Sequence, residues 1–183
     1  MTPPVLVTGV SGSGKSALTR ALISRGRRAI SLDAYPGLAH WADHTHTRVT
    51  RPANPDLRWL RDHRWIFNSQ VLDQLITIET PGSRERPLIL CGVAANLASL
   101  RDRFGIVIML DIDPATQAAR INNASRGNDF GRIGDSARWL ADTYTTEREQ
   151  LRAIADTVLD ATGDLTSITD MIINLCGGHD AQR

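Results

Sequence analysis

The feature that most constrains the fold of this chain is a glycine-rich stretch near its N-terminus. Residues 9–16 read Gly-Val-Ser-Gly-Ser-Gly-Lys-Ser and fit the pattern G-x-x-x-x-G-K-[ST]. Because glycine tolerates backbone conformations that other residues avoid, such a stretch can curl until successive N–H groups point inward at an anion. A helix that follows presents its own free N–H groups to the same point. The pattern therefore predicts a strand, a phosphate-binding loop and a helix, in that order.

The residues on either side of this loop have the patterns that the prediction requires. Residues 5–8 form a short apolar run, which is typical of a buried strand. Helical apolar spacing extends from Ser16 to Ile23, and a second apolar run at 29–32 ends at Asp33. The alternative is a glycine-rich turn that only reverses the chain, and the flanking strand and helix argue against it.

Apolar runs and helical patterns alternate through the rest of the chain. Strands are expected at 87–91, 106–110 and 157–159, and helices at 69–78, 97–103, 114–123, 136–155 and 165–175. Continuously apolar strands that alternate with helices are typical of a parallel sheet covered on both faces. We therefore expect an α/β fold of three layers with a five-stranded parallel sheet, in a single domain over residues 1–183.

Charge, cysteine content and apolar runs narrow the classes of function. The net charge of +1 does not favour a nucleic acid or an anionic membrane as a partner. Cys91 and Cys176 fit no zinc spacing and are expected to be buried thiols. No apolar stretch is long enough to span a membrane, and residues 1–4 lack the features of a secretory signal, so we expect a cytoplasmic protein.

The glycine-rich loop supplies the candidate nucleotide-binding residues. These are Gly9, Ser11, Gly12, Ser13, Gly14, Lys15, Ser16 and Ala17. Lys15 is expected to reach the β- and γ-phosphates, and the Ser16 hydroxyl is expected to bind Mg²⁺. Lys15 is also the only lysine among 21 basic residues, which suggests a position that needs a compact charge, although chance is the alternative explanation.

Two carboxylates compete for the role of the acid beside the phosphates. Asp33 ends the second strand, and ligands of such sheets bind beyond the carboxyl ends of the strands. It can take a proton from an acceptor hydroxyl or hold Mg²⁺, while capping of the following turn is the alternative. Asp111 ends the fourth strand in the same way, although it can also cap the helix that opens at Pro114. We expect Asp33 to be the catalytic and metal-binding acid, with Asp111 as its competitor.

The segment 34–68 has poor apolar periodicity and an unusual composition. It holds most of the tryptophans and histidines of the chain, together with several arginines: Trp41, Trp59, Trp65, His40, His44, His46, His63, Arg48, Arg51, Arg58 and Arg64. Tryptophans offer broad apolar walls, and arginines can hold an anion by bidentate contacts. The histidines do not have a recognised metal-binding spacing. The segment is therefore a candidate binding site for a phosphoryl acceptor.

Arginines also recur at every sixth position from a helix into a polar, glycine-rich loop. They are Arg120, Arg126 and Arg132, and the glycines are Gly127, Gly131 and Gly134. Arginines that a closing loop brings to a phosphoryl group can stabilise its charge and exclude water. We expect a mobile lid with Arg126 and Arg132 as catalytic residues, and a solvated surface loop is the alternative.

With these features, the chain resembles the small P-loop kinases of the group that includes adenylate, shikimate and gluconate kinases. The resemblance extends over nearly the whole chain and is carried by residues 9–16, Asp33 and the three lid arginines. Segments 33–38, 90–96 and 128–132 also resemble bacterial chains described as AAA-family ATPases or predicted kinases. The resemblance implies sheet order 2-3-1-4-5, use of ATP and Mg²⁺, Asp33 as the acid near the acceptor, and Arg120 against adenine.

The expected function is an ATP-dependent phosphotransferase, a kinase that acts on a small molecule. Region 34–80 is expected to bind the acceptor and region 120–135 to form the lid. The glycine cluster that shikimate-type kinases carry after the third strand is absent, because Gly92 is followed by Val93 and two alanines. Two other functions stay open: an ATPase or switch that acts on a partner, and a kinase of polynucleotide ends.

Overall fold

The centre of the molecule is a parallel sheet whose strands match the apolar runs of the sequence. The computed structural model describes residues 3–79, 87–124 and 127–177. The sheet contains β1 (Val5–Thr8), β2 (Ala29–Ser31), β6 (Ile89–Cys91), β7 (Ile106–Asp111) and β8 (Thr157–Asp160) in the order β2-β6-β1-β7-β8. Counted along the chain among these five alone, the order is 2-3-1-4-5, as expected. The numbering differs only because three short strands intervene between β2 and β6.

Burial in this sheet decreases from the centre to the edges. All residues of β1 and β6 are buried, as are the inner four of β7, whereas β2 and β8 at the edges are mostly half-buried. β1 pairs in parallel with β6 on one side and β7 on the other, and Leu6 lies opposite Leu90 and Val107. Continuous apolar runs are needed here because helices cover both faces. The carboxyl end of β1, where the glycine-rich loop begins, is therefore held by the most buried part of the core.

Helices pack against the sheet and against each other. They are α1 (Lys15–Ser24), α2 (Leu57–Asp62), α3 (Ser69–Glu79), α4 (Leu97–Leu100), α5 (Pro114–Asn122), α6 (Ser136–Ile154) and α7 (Leu165–Gly177). α1 packs against α7, and α4 packs against α6. This is the three-layer α/β arrangement that the alternation of strands and helices predicts. Among the described residues, no helix is long and apolar enough to cross a membrane.

The segment after β2 contains regular structure that the sequence did not reveal. Leu32–Ala34 forms a 3-10 turn rather than the end of a strand. Three short strands then form a second, antiparallel sheet in the order β4-β3-β5. They are β3 (Ala39–Ala42), β4 (Arg48–Val49) and β5 (Arg64–Phe67). These strands have only two to four residues, which is too short for alternation to be recognised. Trp41 on β3 lies directly opposite Trp65 on β5, so this small sheet brings distant aromatic residues together.

Both cysteines are free and buried, as the sequence predicts. Burial raises the pKa of each thiol to about 11, so neither is poised to react as a thiolate near neutral pH. They contribute as small apolar side chains of the core.

Candidate active site

The glycine-rich loop has the backbone geometry of a phosphate cradle. Gly9, Gly12 and Gly14 have φ angles of +152°, +86° and +100°, a region that favours glycine. A Cβ atom at Gly9 would stand only 2.5 Å from the carbonyl oxygen of Leu110, so this position has no room for a side chain. α1 begins at Lys15, and no side chain in the described part of the chain caps its N-terminus. Its first amides are therefore available to an anion.

Lys15 lies along the loop and is buried. Its Nζ atom donates to the carbonyl oxygens of Gly9 at 2.6 Å and Val10 at 3.1 Å, and to Oγ of Ser13 at 3.3 Å. These contacts hold the ammonium at the loop, where it can meet a phosphate oxygen. A single ammonium in a loop of amides is suited to a dense negative charge.

A large cavity of about 1330 Å³ lies beside this loop. Most of the predicted nucleotide-binding residues line it: Ser11, Gly12, Gly14, Lys15, Ser16, Ala17 and Arg120. Gly9 and Ser13 do not line the cavity, and each accepts a hydrogen bond from Nζ of Lys15. The remaining walls come from the turn after β2, the antiparallel sheet, the residues after β6, the segment after α5, and α6. The cavity is thus large enough for a nucleotide and a second small molecule together.

Asp33 lies in the same cavity, at the end of β2. Its Oδ1 accepts hydrogen bonds from Nε1 of Trp65 at 3.3 Å and from the backbone amide of Val93 at 3.4 Å. Burial raises the pKa of Asp33, and the charge of Lys15 and the two hydrogen bonds oppose that rise. A half-buried carboxylate close to the ammonium of Lys15 can therefore hold or release a proton at this point of the cavity.

Asp111, the competing acid, does not line this cavity. Both of its oxygens accept from Arg148, at 2.6 Å from Nε and 2.5 Å from Nη2, and it lines a second cavity of about 430 Å³. It does not cap α5, because Asp113 has that role and accepts from the amide of Thr116 at 2.9 Å. The structure therefore brings Asp33, but not Asp111, to the glycine-rich loop.

Arg120 connects the glycine-rich loop to the residues that follow β8. Its Nη1 donates to the carbonyl oxygen of Ser13 at 3.3 Å, and its Nη2 donates to that of Ala161 at 2.7 Å. Gly14 is also near, because a Cβ atom there would lie 3.7 Å from Nη1. The guanidinium thus stands at the edge of the cavity between two backbone segments.

The segment expected to form the lid is only partly at the cavity. Arg126 lies outside the described residues. Arg132 is exposed, donates to the carbonyl oxygens of Asn123 and Asn128 within its own segment, and does not line the cavity. The expected approach of Arg132 to a phosphoryl group is therefore not present in this arrangement, and the wall of the cavity here comes from Asn123, Gly127, Asn128 and Phe130.

At two of the three lid glycines, close packing rather than loop mobility explains why the residue is glycine. A Cβ atom at Gly131 would stand 2.6 Å from Ile121, and one at Gly134 would stand 2.4 Å from the carbonyl oxygen of Pro55. Their φ angles are +97° and +49°, which also favour glycine. Of the three lid glycines, Gly127 alone has no described atom within 4 Å of an added Cβ. The end of this segment is thus fitted closely against the region after β4.

Further contacts join the lid segment to the candidate acceptor region. Arg51 forms an ion pair with Asp129 at 3.0 Å, and the ring of Phe130 lies 5.5 Å from that of Trp41. Asp135 accepts from the backbone amide of Leu57 at 3.0 Å. These residues come from both expected regions, so the two form one continuous wall of the cavity.

An aromatic cluster occupies the middle of this wall. The ring of Trp41 lies 5.0 Å from Trp59 and 5.8 Å from Trp65, both at steep angles, and Trp59 stacks on His63. Trp41, Trp65 and Phe130 line the cavity, whereas Trp59 does not. In the described part of the chain, no group of three or more potential metal ligands comes together. His63 instead stacks on Trp59, and its Nδ1 lies 2.7 Å from the carbonyl oxygen of the same residue.

Sequence patterns missed several residues of the site. Glu147 on α6 lines the cavity, and burial raises its pKa against the opposing charge of Lys15. Gln117 is buried and donates from Nε2 to the carbonyl oxygen of Ser11 at 3.1 Å, which supports the glycine-rich loop. Both lie on amphipathic helices, where a single polar residue cannot be distinguished from a solvated one before the helix is placed.

Comparison with known proteins identifies the fold. No protein-family model matches this chain, and no curated protein matches its sequence. Among solved structures, a shikimate kinase from Acinetobacter baumannii in complex with shikimate is similar, with a TM-score of 0.58 at 13% identity over 98% of this chain and 95% of that one. A gluconokinase from Sinorhizobium meliloti 1021 has a TM-score of 0.56 at 19% identity over 98% and 97% of the two chains. A sugar kinase from Janibacter sp. HTCC2649 has a TM-score of 0.53 at 17% identity over 95% and 94%. These are small P-loop kinases, and the chain has their fold over nearly its whole length.

Proposed function

We propose that this protein is an ATP-dependent phosphotransferase that moves the γ-phosphoryl group to a hydroxyl of a small molecule. The observation that carries the proposal is the presence of Asp33 and Lys15 in one cavity, close enough for the ammonium to lower the pKa of the carboxyl. A carboxylate at this place can accept the proton of an acceptor hydroxyl as the phosphoryl group is transferred. The likeness to kinases of shikimate, gluconate and sugar supports the same reaction class.

The residues of the loop fit a nucleoside triphosphate with Mg²⁺. Three glycines at positive φ and an uncapped helix start supply inward-pointing amides, and Lys15 supplies the balancing charge. Ser16 is exposed at the cavity, so its hydroxyl would hold Mg²⁺ together with Asp33. Held there, Mg²⁺ would supply positive charge against the charge that develops on the phosphoryl group during transfer. Arg120 stands where it would bind the nucleotide on the side of the base, beside the backbone of Ala161.

Asp33 would serve the acceptor. In the proposed transfer, the acceptor's hydroxyl oxygen forms a bond to the γ-phosphorus while the bond from that phosphorus to the β,γ-bridging oxygen breaks. ADP leaves with the electron pair, and the hydroxyl proton passes to the carboxylate of Asp33 and then to water. A raised pKa suits this role, because a carboxylate that binds a proton more readily is a better general base.

Regions 34–80 and 120–135 would bind the acceptor and cover the site. The ion pair of Arg51 with Asp129 and the contact of Trp41 with Phe130 support this division, since they join the two regions at the cavity. Closure of such a wall excludes water, which otherwise competes with the acceptor for the phosphoryl group.

A transfer assay with labelled nucleotide tests the proposal. Purified protein is incubated with Mg²⁺, ATP labelled in the γ-phosphate and a library of small hydroxyl compounds, and the products are separated from inorganic phosphate. We expect label in at least one organic product, and loss of that product with Asp33→Asn. Label that appears only as inorganic phosphate, whatever compound is supplied, would contradict the proposal and favour an ATPase.

A further inference from the structure

One face of α5 lies directly against the glycine-rich loop. A Cβ atom at Gly12 would stand 3.4 Å from the carbonyl oxygen of Gln117 and 3.4 Å from Cγ1 of Ile121, so the helix and the loop are in van der Waals contact. Gln117 is only 4% exposed and does not line the cavity. Any effect of this side chain on a ligand in the cavity must therefore pass through the loop.

Two side chains of α5 hold carbonyl groups of the loop. Nε2 of Gln117 donates to the carbonyl oxygen of Ser11 at 3.1 Å, and Nη1 of Arg120 donates to that of Ser13 at 3.3 Å. A buried amide such as that of Gln117 needs a partner, because an unsatisfied polar group is costly in the interior. Both carbonyl groups therefore point toward α5.

The direction of these carbonyl groups fixes the direction of two amides. The peptide bonds that follow Ser11 and Ser13 are trans, and in a trans peptide unit the C=O and N–H groups point in opposite directions. The N–H groups of Gly12 and Gly14 therefore point away from α5. Within the described residues, neither of these amides donates a hydrogen bond, whereas the amide of Ser13 between them donates to the carbonyl oxygen of Val10 at 3.1 Å. The two amides are thus donors that an anion can use.

The flexibility of glycine makes this control important. Gly12 has a φ angle of +86°, and glycine also adopts negative φ angles without strain. If nothing held it, the peptide unit between Ser11 and Gly12 could rotate, so that its carbonyl oxygen rather than its amide met a phosphate group. A loop whose amides are oriented in advance loses less freedom when a ligand binds, and it binds the ligand more tightly for that reason.

We propose that Gln117 is a positioning residue that sets the affinity of the glycine-rich loop for phosphate groups, because it holds the peptide unit between Ser11 and Gly12. Arg120 holds the peptide unit after Ser13 in the same way, but it also lines the cavity, so Gln117 is the residue that isolates the effect. The inference rests on the proposed function, since it concerns the same nucleotide site. It adds a residue that acts on the nucleotide without touching it.

Two substitutions of Gln117 test this role by binding of ADP. Gln117→Met keeps the length and the apolar contacts but cannot donate, and Gln117→Asn keeps the amide on a side chain that is one methylene shorter. With Mg²⁺ present, calorimetry on the intact protein should give ADP binding at least about tenfold weaker for each variant. Gln74→Met replaces an exposed glutamine of α3 outside the cavity and should keep the affinity of the wild type.

The binding data can contradict the inference in two ways. A folded variant of Gln117 that binds ADP as tightly as the wild type would overturn it. The melting curve of each ligand-free variant gives the fraction of unfolded protein at the temperature of the titration. A loss of affinity that is fully accounted for by this fraction would also overturn the inference, because the hydrogen bond would then contribute to stability alone.

Nuclear magnetic resonance reads the state of the two amides directly. Among the glycines of the sequence, only Gly12 and Gly14 follow a serine. Cell-free synthesis with serine labelled by ¹³C at the carbonyl and with ¹⁵N glycine therefore gives two amide signals in a spectrum that selects bonded ¹³C–¹⁵N pairs. In Gln117→Met, the signal of Gly12 should broaden through exchange on the microsecond-to-millisecond timescale and sharpen when ADP binds.

The signal of Gly14 is the internal control, because Arg120 still holds the carbonyl group before it. It should change less than the signal of Gly12. An unchanged Gly12 signal, or equal broadening of both signals, would overturn the role of Gln117 and leave the proposed function standing. Absence of saturable ADP binding by the wild type would instead contradict the proposed function itself.

Discussion

The indole Nε1 of Trp65 donates a hydrogen bond to Oδ1 of Asp33 at 3.3 Å. This contact joins the small antiparallel sheet to the acid at the end of β2. It lowers the pKa of Asp33, against the larger effect of burial, and it fixes the direction in which the carboxylate points. The small antiparallel sheet, which lines the cavity, therefore also tunes the pKa of this acid.

Trp65→Phe tests this coupling. The phenyl ring keeps apolar contact but lacks the N–H donor, so the pKa of Asp33 should rise and its orientation should loosen. We expect kcat/KM for phosphoryl transfer to fall about tenfold and the acid limb of its pH profile to move to higher pH. Trp59→Phe is the matched control, because Trp59 belongs to the same aromatic cluster but does not line the cavity. Equal pH profiles for the two variants would show that the hydrogen bond has no part in catalysis.

Asp33→Asn should change the pH dependence of stability in a defined direction. Burial raises the pKa of Asp33 in the folded chain, so the folded state binds this proton more tightly than the unfolded state does. The contribution of Asp33 to the free energy of unfolding is therefore full below the pKa of the unfolded chain and is lost as the pH rises through the raised value. Asparagine does not titrate, and the variant should gain stability relative to the wild type from acidic to neutral pH.

Urea unfolding of the ligand-free protein across that pH range measures the effect. Asp43→Asn is the control of opposite sign, because hydrogen bonds from Thr45 and Thr47 lower the pKa of Asp43. This second variant should lose stability relative to the wild type as the pH rises. A decline for Asp33→Asn like that of Asp43→Asn would mean that burial does not dominate at Asp33.

Asp111→Asn separates the two acids of the sequence. Asp111 pairs with Arg148 through both oxygens, so the substitution should lower the free energy of unfolding by about 1 kcal/mol for this partly exposed pair. Phosphoryl transfer by the folded variant should be unchanged, because Asp111 does not line the main cavity. A folded Asp111→Asn protein that transfers no phosphoryl group would instead make Asp111 the acid beside the metal.

Gly134→Ala tests the contact between the lid segment and the acceptor region. The added Cβ would stand 2.4 Å from the carbonyl oxygen of Pro55, in a backbone conformation with φ at +49°. We expect a loss of stability of about 2 kcal/mol, measured by denaturant unfolding. At Gly163 a Cβ atom meets nothing within 4 Å, and Gly163→Ala should change stability by less than about 0.5 kcal/mol. A similar small change at both glycines would show that the lid segment does not pack firmly against Pro55.

The fold could be predicted because its signals are local. Each parallel strand is a continuous apolar run, each is followed by a helix or turn, and the glycine-rich loop fixes the position of β1 and α1. The order of the strands came from the resemblance to a known group. Short polar strands such as β4, with two residues, carry too little pattern to be recognised.

Residues of the candidate site could be predicted only where a single segment of the sequence contains the pattern that identifies them. The loop and Asp33 lie at the ends of recognisable strands, whereas the partners of Asp33 do not: Trp65 is 32 residues away and Val93 is 60 residues away. Glu147 lines the cavity because α6 packs beside it, and no local sequence pattern predicts where that helix packs. Arg148 pairs with Asp111 across 37 residues, outside the main cavity, and no local pattern predicts this pairing.

Binding of ATP by Lys15→Ala tests the central claim most directly. Lys15 is the ammonium of the glycine-rich loop, and its removal leaves the amides without the charge that balances the phosphates. With Mg²⁺ present, calorimetry should give saturable binding of ATP to the wild type and to Arg48→Ala, an exposed control outside the cavity, and binding at least about 100-fold weaker to Lys15→Ala. Equal affinity of the wild type and Lys15→Ala for ATP would contradict the claim that residues 9–16 bind the phosphates.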